Sequence, residues 1–231
     1  NASAEFYKNK GLTSIPSRGP LAALTVPAAV SGWEKAFNFS KEKLEGKKSL
    51  DELLEPAKFI SLNGFAVSKT LEKNLKLKKN ELKNLKEFEE KYYKQELKVG
   101  HLLKYPEMSE TFKILIKNGL RDFYEGSLSK IILSDLSKTT SPLVLEDFVN
   151  YNAEFVNPLS IRLKNARIYN LPPPTQGIAS LLILGIINKN PQIVYNEYQF
   201  MHFLIEATKI AFRIRDEYVT DPKYMTLKIE K

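Results

Sequence analysis

The sequence contains no cysteine, and this absence excludes several kinds of site from the chain. None of its 231 residues can form a disulfide, supply a thiolate nucleophile or bind a metal ion through sulfur. Histidine is almost absent as well, since only His101 and His202 occur. His202 lies in the apolar stretch YQFMHFLIEA and is predicted to be a packed helix residue, whereas His101 follows Gly100 in a predicted loop. We therefore assign neither histidine a catalytic or metal-binding role.

Long apolar runs and the common short catalytic motifs are missing too. The apolar segment at residues 178–187 is only about ten residues long, too short to cross a bilayer and typical of a buried helix. The sequence has no GxxxxGK[ST] phosphate loop, GxGxxG, HExxH or GxSxG. Glu206 and Asp216 lie ten residues apart in one predicted helix, about 15 Å along its axis, so they do not form a close acid–base pair. Taken alone, the residues predict a mainly helical domain without a cofactor, and they nominate no catalytic, substrate-binding or metal-binding residue.

Charge is plentiful but mixed in sign. The 35 Lys and Arg residues against 27 Asp and Glu give a formal charge of +8. Such a balance is typical of some proteins that bind nucleic acid or an anionic surface. Here the lysines alternate with glutamates and no arginine cluster occurs, which favours a solvated surface instead. A helical binding module that uses residues 69–104 on nucleic acid or an acidic partner stays open as an alternative.

Capping signals and apolar spacing predict helices along most of the chain. Ser49 and Glu52 have capping-box spacing and predict a helix start, with Gly64 as its end. Pro56 implies that this helix starts late or is kinked. Within residues 67–99, leucines and aromatic residues recur every three, four or seven positions, which predicts surface helices with one apolar stripe. The other predicted helices run through residue 37 and cover residues 109–117, 127–137 and 145–151.

The last third predicts a strand, an elbow and two long helices. Residues 161–170 alternate between apolar and polar and form the best predicted strand. The sequence LPPPTQG follows at residues 171–177 and predicts a rigid elbow, because three consecutive prolines cannot lie inside a helix. Thr175 is the predicted N-cap of the next helix. A structural ion network is predicted near the end of the second helix, among Arg213, Arg215, Asp216 and Glu217.

Six blocks of sequence occur in an informative order. They are LAALTVPAAVSGWEKA at 21–36, SLDELLEPAKFISLNGFAVS at 49–68, GLRDFYEGSLSKIIL at 119–133, LEDFVNYNAEFVNPL at 145–159, LPPPTQG at 171–177 and EATKIAFRIRDEYVTDP at 206–222. In this order they resemble segments of the gamma-glutamyltransferase family, and together they cover most of residues 21–225. The residues that carry the match are Pro56, Ala57, Gly64, Phe65, Phe123, Tyr124, Gly126, Glu146, Asp147, Tyr151, Pro158, Leu159, Glu206, Ala207, Lys209, Ala211, Phe212, Arg215, Tyr218, Asp221 and Pro222.

The resemblance implies a fold and a reaction. The fold is α+β, the αββα sandwich of the N-terminal nucleophile hydrolases, to which this mostly helical chain contributes few strands. The family is made as a precursor that cleaves itself, and the new N-terminal Thr of the small subunit attacks a gamma-glutamyl amide such as glutathione. The free α-amine of that Thr acts as the local base, and backbone amides hold the oxyanion. The acyl group then passes to water or to an amino acid, so the expected enzyme is a gamma-glutamyltransferase or glutathione hydrolase.

The same resemblance implies what this chain does not carry. Residues 1–231 are expected to be one large-subunit portion, with an extended segment at 1–20, a helical part at 21–160 and a strand, elbow and two core helices at 161–231. The chain starts at Asn1, and we expect that residues preceded it, including the arginine that binds the substrate carboxylate. Arg18 is not a substitute for that arginine. Alone, the chain is expected to be inactive, because its partner is the small subunit with the N-terminal Thr.

The resemblance allows more than one substrate class. Related acylases that act on glutaryl or poly-glutamyl amides would keep the fold and change the substrate. Thr175 and Gln176 stand where the family has two serines, which leaves the role of hydroxyl groups in this elbow open. The resemblance leaves the localisation open between cytoplasmic and exported. Neither nucleic acid nor a membrane span is expected. Helix residues that face a sheet missing from this chain are expected to be exposed, namely Ile178, Leu181, Leu182 and Ile186.

Overall fold

The computed structural model describes residues 2–83, 85–94, 97–190 and 197–226. These residues form two compact units, 1–154 and 155–231. The division falls after Glu154 and not after residue 160, and the reading of the whole range as one large-subunit portion stays a prediction. The predicted ranges 67–99, 69–104 and 161–231 include positions outside the described residues, namely 84, 95–96, 191–196 and 227–231.

Helices make up most of the first unit. They are α1 (Ala4–Lys8), α2 (Ala29–Lys43), α3 (Leu50–Asn63), α4 (Lys69–Leu82), α5 (Lys86–Phe88), α6 (Pro106–Asn118), α7 (Asp122–Glu125), α8 (Ser127–Ser137) and α9 (Leu145–Val149). A 3-10 turn at Pro20–Ala22 and a π turn at Glu89–Tyr93 add to these. Two short strands, β1 (Phe65–Ala66) and β2 (Leu102–Leu103), pair antiparallel. The helices predicted at 109–117, 127–137 and 145–151 are therefore confirmed, with ends that differ by up to three residues.

The start of the chain differs from its prediction. Residues 1–20 were expected to be extended, but α1 forms there, so the expectation is wrong over Ala4–Lys8. The helix forms because the Ser3 hydroxyl accepts a hydrogen bond from the Phe6 amide at 3.1 Å, and because Tyr7 is buried. The Tyr7 hydroxyl donates to the Leu21 carbonyl at 2.8 Å, which holds this helix against the following segment.

Helix α3 begins and ends where its capping signals predict. The Ser49 hydroxyl accepts from the Glu52 amide at 3.2 Å, and the Glu52 carboxylate accepts from the Ser49 amide at 2.8 Å. The helix ends at Gly64, whose φ of 98° lies in the region that favours glycine. Pro56 lies inside the helix, so the late start considered from sequence is wrong. The capping box stabilises the first turn, and Pro56 leaves only the Glu52 carbonyl without its usual helical donor.

The main core of the first unit surrounds two aromatic side chains, Tyr124 and Phe148, which are fully buried. Their rings lie 6.3 Å apart, centroid to centroid. The Tyr124 hydroxyl donates to the Pro27 carbonyl at 2.7 Å and accepts from the Ser31 amide at 2.9 Å. This one hydroxyl therefore joins α7 to the start of α2 and satisfies two backbone groups. The other buried members of the core are Val30, Leu115, Leu120 and Leu128.

A second, smaller core lies beneath α4. It contains Val67, Leu97 and Leu103, against which the predicted apolar stripe contributes Leu71, Leu75 and Tyr92. Leu85 and Phe88 belong to the same predicted stripe but are exposed. The helix breaks after Leu82, so the regular spacing no longer directs these later residues toward the core.

The second unit contains a hairpin followed by two long helices. Its elements are β3 (Leu159–Arg162), β4 (Arg167–Asn170), α10 (Gly177–Asn188), α11 (Glu197–Tyr218) and a 3-10 turn (Pro222–Tyr224). The single strand predicted at 161–170 is wrong, because β3 and β4 pair antiparallel with Ile161 opposite Ile168. The chain reverses between them, and the Leu163 amide donates to the Ala166 carbonyl at 2.8 Å. The polar pair Lys164 and Asn165 suits this turn.

The apolar face of α10 that was predicted to be exposed is largely covered. Ile178 and Leu181 of α10 are buried against the hairpin, and Leu182 and Ile186 are half-buried, so the expected exposure of this face is wrong. The hairpin supplies the cover, since Leu159, Ile161 and Ile168 pack on α10. Helix α11 carries six large exposed apolar residues, namely Tyr198, Met201, Ile205, Ile210, Phe212 and Tyr218. Others in this unit are Phe155, Val156, Tyr169, Leu171 and Tyr224. Within the described ranges, no helix combines the length and hydropathy needed to span a membrane.

Candidate functional site: the proline elbow

The proline elbow, residues 171–177, folds around the hydroxyl of Thr175. This hydroxyl lies 3.1 Å from the Leu171 carbonyl and 3.0 Å from the Pro172 carbonyl, and it donates to this pair. It also accepts from the Gly177 amide at 3.3 Å. Helix α10 begins at Gly177 with Gln176 as its N-cap, so the predicted N-cap at Thr175 is wrong by one residue. Thr175 still binds a free amide of the first turn, which is the physical role predicted for it.

Gly177 fits this elbow because it has no side chain. A Cβ atom at this position would lie 2.4 Å from the Leu171 carbonyl oxygen and 2.7 Å from the Asn170 amide oxygen. Both distances are far below van der Waals contact. The Asn170 side chain is itself held in place, because its oxygen accepts from the Leu171 amide at 2.9 Å. The first turn of α10 therefore packs directly on the backbone that leaves β4.

A charged cluster from α11 completes the elbow. The Arg215 guanidinium donates to the Gln176 side-chain oxygen at 3.1 Å and pairs with Asp216 at 2.6 Å. It also lies 4.0 Å from the centre of the Phe212 ring. The predicted ion network is thus confirmed for Arg215 and Asp216. Glu217 is bonded to the Tyr218 hydroxyl instead, and this bond raises the pKa of Tyr218.

Sequence reasoning missed the contact between Gln176 and Arg215. The two residues are 39 positions apart, and neither spacing nor capping rules link an elbow to a helix so far along the chain. The only signal was that both residues fall in blocks that carry the family resemblance. The contact between Gln176 and Arg215 shows that the LPPPTQG block and the block at residues 206–222 both contribute to the proline elbow.

The elbow supplies hydrogen-bonding groups rather than a nucleophile and its base. Thr175 and Gln176 are exposed, and Arg215 is half-buried. Among the described residues, no histidine or carboxylate bonds to the Thr175 hydroxyl, which faces backbone groups only. An alkoxide could not form there without a base. The elbow can therefore position neighbouring elements, but it cannot perform covalent catalysis by itself.

The remaining candidate side chains are also dispersed. His101 lies in a loop, as predicted, and its Nδ1 accepts from the Lys98 amide at 3.3 Å. His202 lies on α11 but is exposed, so its predicted packing is wrong. The hydrogen bond from Lys209 lowers the pKa of Glu206, and Asp216 is bonded to Arg215. Within the part of the chain that the structure describes, no group of three or more His, Cys, Asp or Glu could hold a metal ion.

Comparison with known proteins places these features in a family. A family model described as Gamma-glutamyltranspeptidase matches residues 1–231. The oxamate amidohydrolase proenzyme of Klebsiella pneumoniae is 31% identical over 100% of this chain and 44% of its own length. The glutathione hydrolase-like YwrD proenzyme of Bacillus subtilis is 30% identical over 100% of this chain and 43% of its own. The chain thus spans less than half the length of these relatives.

Solved structures share the fold. The gamma-glutamyltranspeptidase from Pseudomonas nitroreducens complexed with L-DON has a TM-score of 0.75 and 27% identity, over 87% of this chain and 60% of that one. The cephalosporin acylase from Bacillus halodurans has a TM-score of 0.87 and 26% identity, over 99% of this chain and 43% of that one. The expected fold class, that of the N-terminal nucleophile hydrolases with a mostly helical chain, is confirmed. Because the family model covers every residue, the chain belongs to the gamma-glutamyltranspeptidase family.

Proposed function

We propose that this chain is part of an enzyme that cleaves gamma-glutamyl amides, with glutathione as the type of substrate. The observation that carries the proposal is the family match over the whole of residues 1–231. Two relatives that align with the entire chain are named as hydrolases of amides, an oxamate amidohydrolase and a glutathione hydrolase-like protein. Amide cleavage is therefore the chemistry common to the names, and the gamma-glutamyl group is the family's substrate.

The proposed nucleophile is the N-terminal Thr of a small subunit cut from the same precursor. Its hydroxyl attacks the amide carbonyl carbon, and its α-amine takes the hydroxyl proton. The resulting oxyanion is held by backbone amides until the amine leaves with a proton. Water or an amino acid then attacks the ester, releases the glutamyl group and restores the Thr. This series of reaction steps needs no cofactor.

In this proposal the chain described above supports the reaction without supplying its reacting groups. The proline elbow fixes α10 on the β3–β4 hairpin, and Arg215 ties the elbow to α11. Both contacts lie in blocks that carry the family resemblance. The elbow therefore serves to hold α10, α11 and the hairpin in a fixed arrangement.

The exposed surface of α11 supports the proposal that this chain has a partner subunit. Six large apolar side chains of this helix are exposed, with Tyr198 at 82% and Ile205 at 54%. Four of them, Tyr198, Met201, Ile205 and Phe212, follow one another at intervals of three, four and seven residues and so share one face of the helix. An exposed apolar face of this kind is typical of an interface. Two relatives that align with the whole of this chain are named proenzymes. Those names agree with a precursor that yields two subunits.

A second candidate substrate class is a glutaryl, poly-glutamyl or other acyl amide cleaved by a related acylase of the same fold. The relative named for oxamate has 31% identity over the whole chain, and a solved cephalosporin acylase has a TM-score of 0.87. A relative named as a capsule biosynthesis protein, CapD of Bacillus anthracis, is 27% identical over 89% of this chain. Glutaryl or poly-glutamyl amides would use the same attack by Thr with a different acyl pocket.

The experiment compares substrates with the complete, processed protein. A chromogenic gamma-glutamyl anilide, the matching glutaryl anilide and oxamate are each supplied at equal concentration. The proposal predicts that kcat/KM is highest for the gamma-glutamyl anilide. A preference for the glutaryl anilide or for oxamate would replace it with the second candidate. No turnover of any of the three would reject cleavage of gamma-glutamyl, glutaryl and oxamate amides alike.

A further inference from the structure

An aromatic cavity lies on the first unit, far along the sequence from the proline elbow. Its volume is ≈ 500 Å³, and it opens between the π turn and the start of α6. It combines three aromatic rings with three carboxylates and one lysine, Lys91. The rings and carboxylates are Phe88, Tyr92, Tyr105, Glu87, Glu90 and Glu107. We call it the tyrosine cavity.

The aromatic rings of the tyrosine cavity are held in fixed positions. The hydroxyls of Tyr92 and Tyr105 are 2.6 Å apart and share a hydrogen bond. Phe88 lies 5.2 Å from Tyr92, and Phe65 stacks on Tyr105 at 5.9 Å between ring centres. Burial and the bond to Tyr92 raise the pKa of Tyr105, so its ring stays neutral at physiological pH. The cavity therefore presents preformed π surfaces.

An ammonium group already occupies one of these surfaces. The Lys91 Nζ lies 4.6 Å from the centre of the Tyr105 ring, within the range of a cation–π interaction. The same Nζ lies 3.8 Å from a Glu107 carboxylate oxygen, too far for a hydrogen bond. The Glu107 side chain is 82% exposed and that of Lys91 30%, so water screens the carboxylate and an ion pair of this length contributes little. Lys91 thus marks a cation position that it holds only weakly.

The charge around the tyrosine cavity also favours a cation. Its lining carries three carboxylates against one ammonium, although the whole chain has a formal charge of +8. Glu90 pairs with Lys94 outside the lining, at 3.6 Å and with both groups exposed. A local excess of negative charge next to aromatic faces is the combination by which proteins recognise organic ammonium ions.

We propose that the tyrosine cavity binds a small organic ammonium ion, which displaces the Lys91 side chain from the Tyr105 ring. The ligand's alkyl groups contact Phe88, Tyr92 and Tyr105, and its positive charge is balanced by Glu90 and Glu107. The cavity is assigned no part in amide cleavage, so this site stands or falls independently of the proposed function.

The test uses the complete protein and tetramethylammonium as the probe. Saturation-transfer NMR reports transfer from the protein to the methyl protons of the probe, with sodium chloride keeping ionic strength constant. The expected result is saturable binding that choline competes away. Lys91→Met is expected to tighten binding by about threefold or more, because it removes the internal competitor. Lys113→Met, which removes a lysine paired with Glu110 on α6, is the charge-matched control and should leave binding within about twofold.

Two further variants separate the aromatic and the acidic parts of the site. Phe88→Leu keeps an apolar side chain but removes the π face, and it should weaken binding about two- to fivefold. Phe59→Leu, on an exposed ring of α3 outside the cavity, is its control and should have no effect. The double variant Glu90→Gln/Glu107→Gln should bind tetramethylammonium more weakly than either the parent protein or Phe88→Leu. Binding that does not saturate, or that is unchanged by Lys91→Met and Phe88→Leu alike, would overturn the proposal.

Discussion

At the scale of single residues, Tyr124 makes a buried contact whose loss should destabilise the fold. Its hydroxyl is the partner of two backbone groups, the Pro27 carbonyl and the buried Ser31 amide. Tyr124→Phe should lower the free energy of unfolding by about 1–3 kcal/mol, because it leaves a buried amide without an acceptor. Urea denaturation of the complete protein measures the change.

The control for this substitution is Tyr169→Phe. Tyr169 lies on β4 with its side chain 59% exposed, so water replaces whatever its hydroxyl binds. The free energy of unfolding of Tyr169→Phe should stay within about 0.5 kcal/mol of that of the parent protein. Equal losses for the two variants would show that the buried hydroxyl bonds of Tyr124 have no special weight.

Asp122 should make stability depend on pH. Burial raises the pKa of its carboxyl, but hydrogen bonds from Leu128, Asn118 and Ser127 outweigh burial and hold the pKa below its usual value. A lowered folded-state pKa stabilises the protein above the unfolded pKa, about 4, and this contribution is lost as the pH falls further. Asp122→Asn should therefore be less stable than the parent at pH 7, and the difference should shrink below about pH 4.

Unfolding of the complete protein followed from neutral to acid pH checks this expectation. Glu110→Gln is a suitable comparison, since Glu110 is an exposed carboxylate that pairs with Lys113 on the same helix. If Asp122→Asn lowers the free energy of unfolding by the same amount at every pH, the account is contradicted. The loss of stability would then come from altered packing and not from the charge of the carboxylate.

At the scale of elements, Gly177 decides whether the proline elbow can form. A Cβ atom there would lie 2.4 Å from the Leu171 carbonyl oxygen, so Gly177→Ala should destabilise the protein by about 1–3 kcal/mol. Gly32 in α2 is the matched control, because nothing lies within 4 Å of its Cβ position. Gly32→Ala should be neutral or stabilise the helix by up to about 1 kcal/mol. Thermal unfolding of both variants measures the contrast, and a stabilising Gly177→Ala would disprove the close packing.

The elements that local rules govern could be predicted from the sequence. The capping box of Ser49 and Glu52 and the stop at Gly64 fix α3, because all three act within a few residues of each other. The hairpin was missed because Ile161 and Ile168 keep the alternation of one strand across a turn that only Lys164 and Asn165 signal. The predicted exposure on α10 failed for the same reason, since the second strand of the hairpin supplies the missing cover.

At the scale of the whole molecule, the family was identifiable from the order of six blocks, while composition gave only a helical domain. The candidate site was less predictable. Both Gln176 and Arg215 stood in matching blocks, yet their contact depends on tertiary packing across 39 positions. The chain belongs to the gamma-glutamyltranspeptidase family, and among the described residues no histidine or carboxylate bonds to the Thr175 hydroxyl. These two observations lead to one central claim. The claim is that this chain holds the scaffold and another subunit carries the reacting Thr.

Intact-mass spectrometry during turnover tests that claim most directly. The complete, processed protein is mixed with the chromogenic gamma-glutamyl anilide and quenched in acid at short times. The account predicts release of the amine together with one glutamyl group added to the N-terminal Thr of the small subunit, and no change in the mass of the present chain. A glutamyl group attached to the present chain, or no amine release at all, would contradict it.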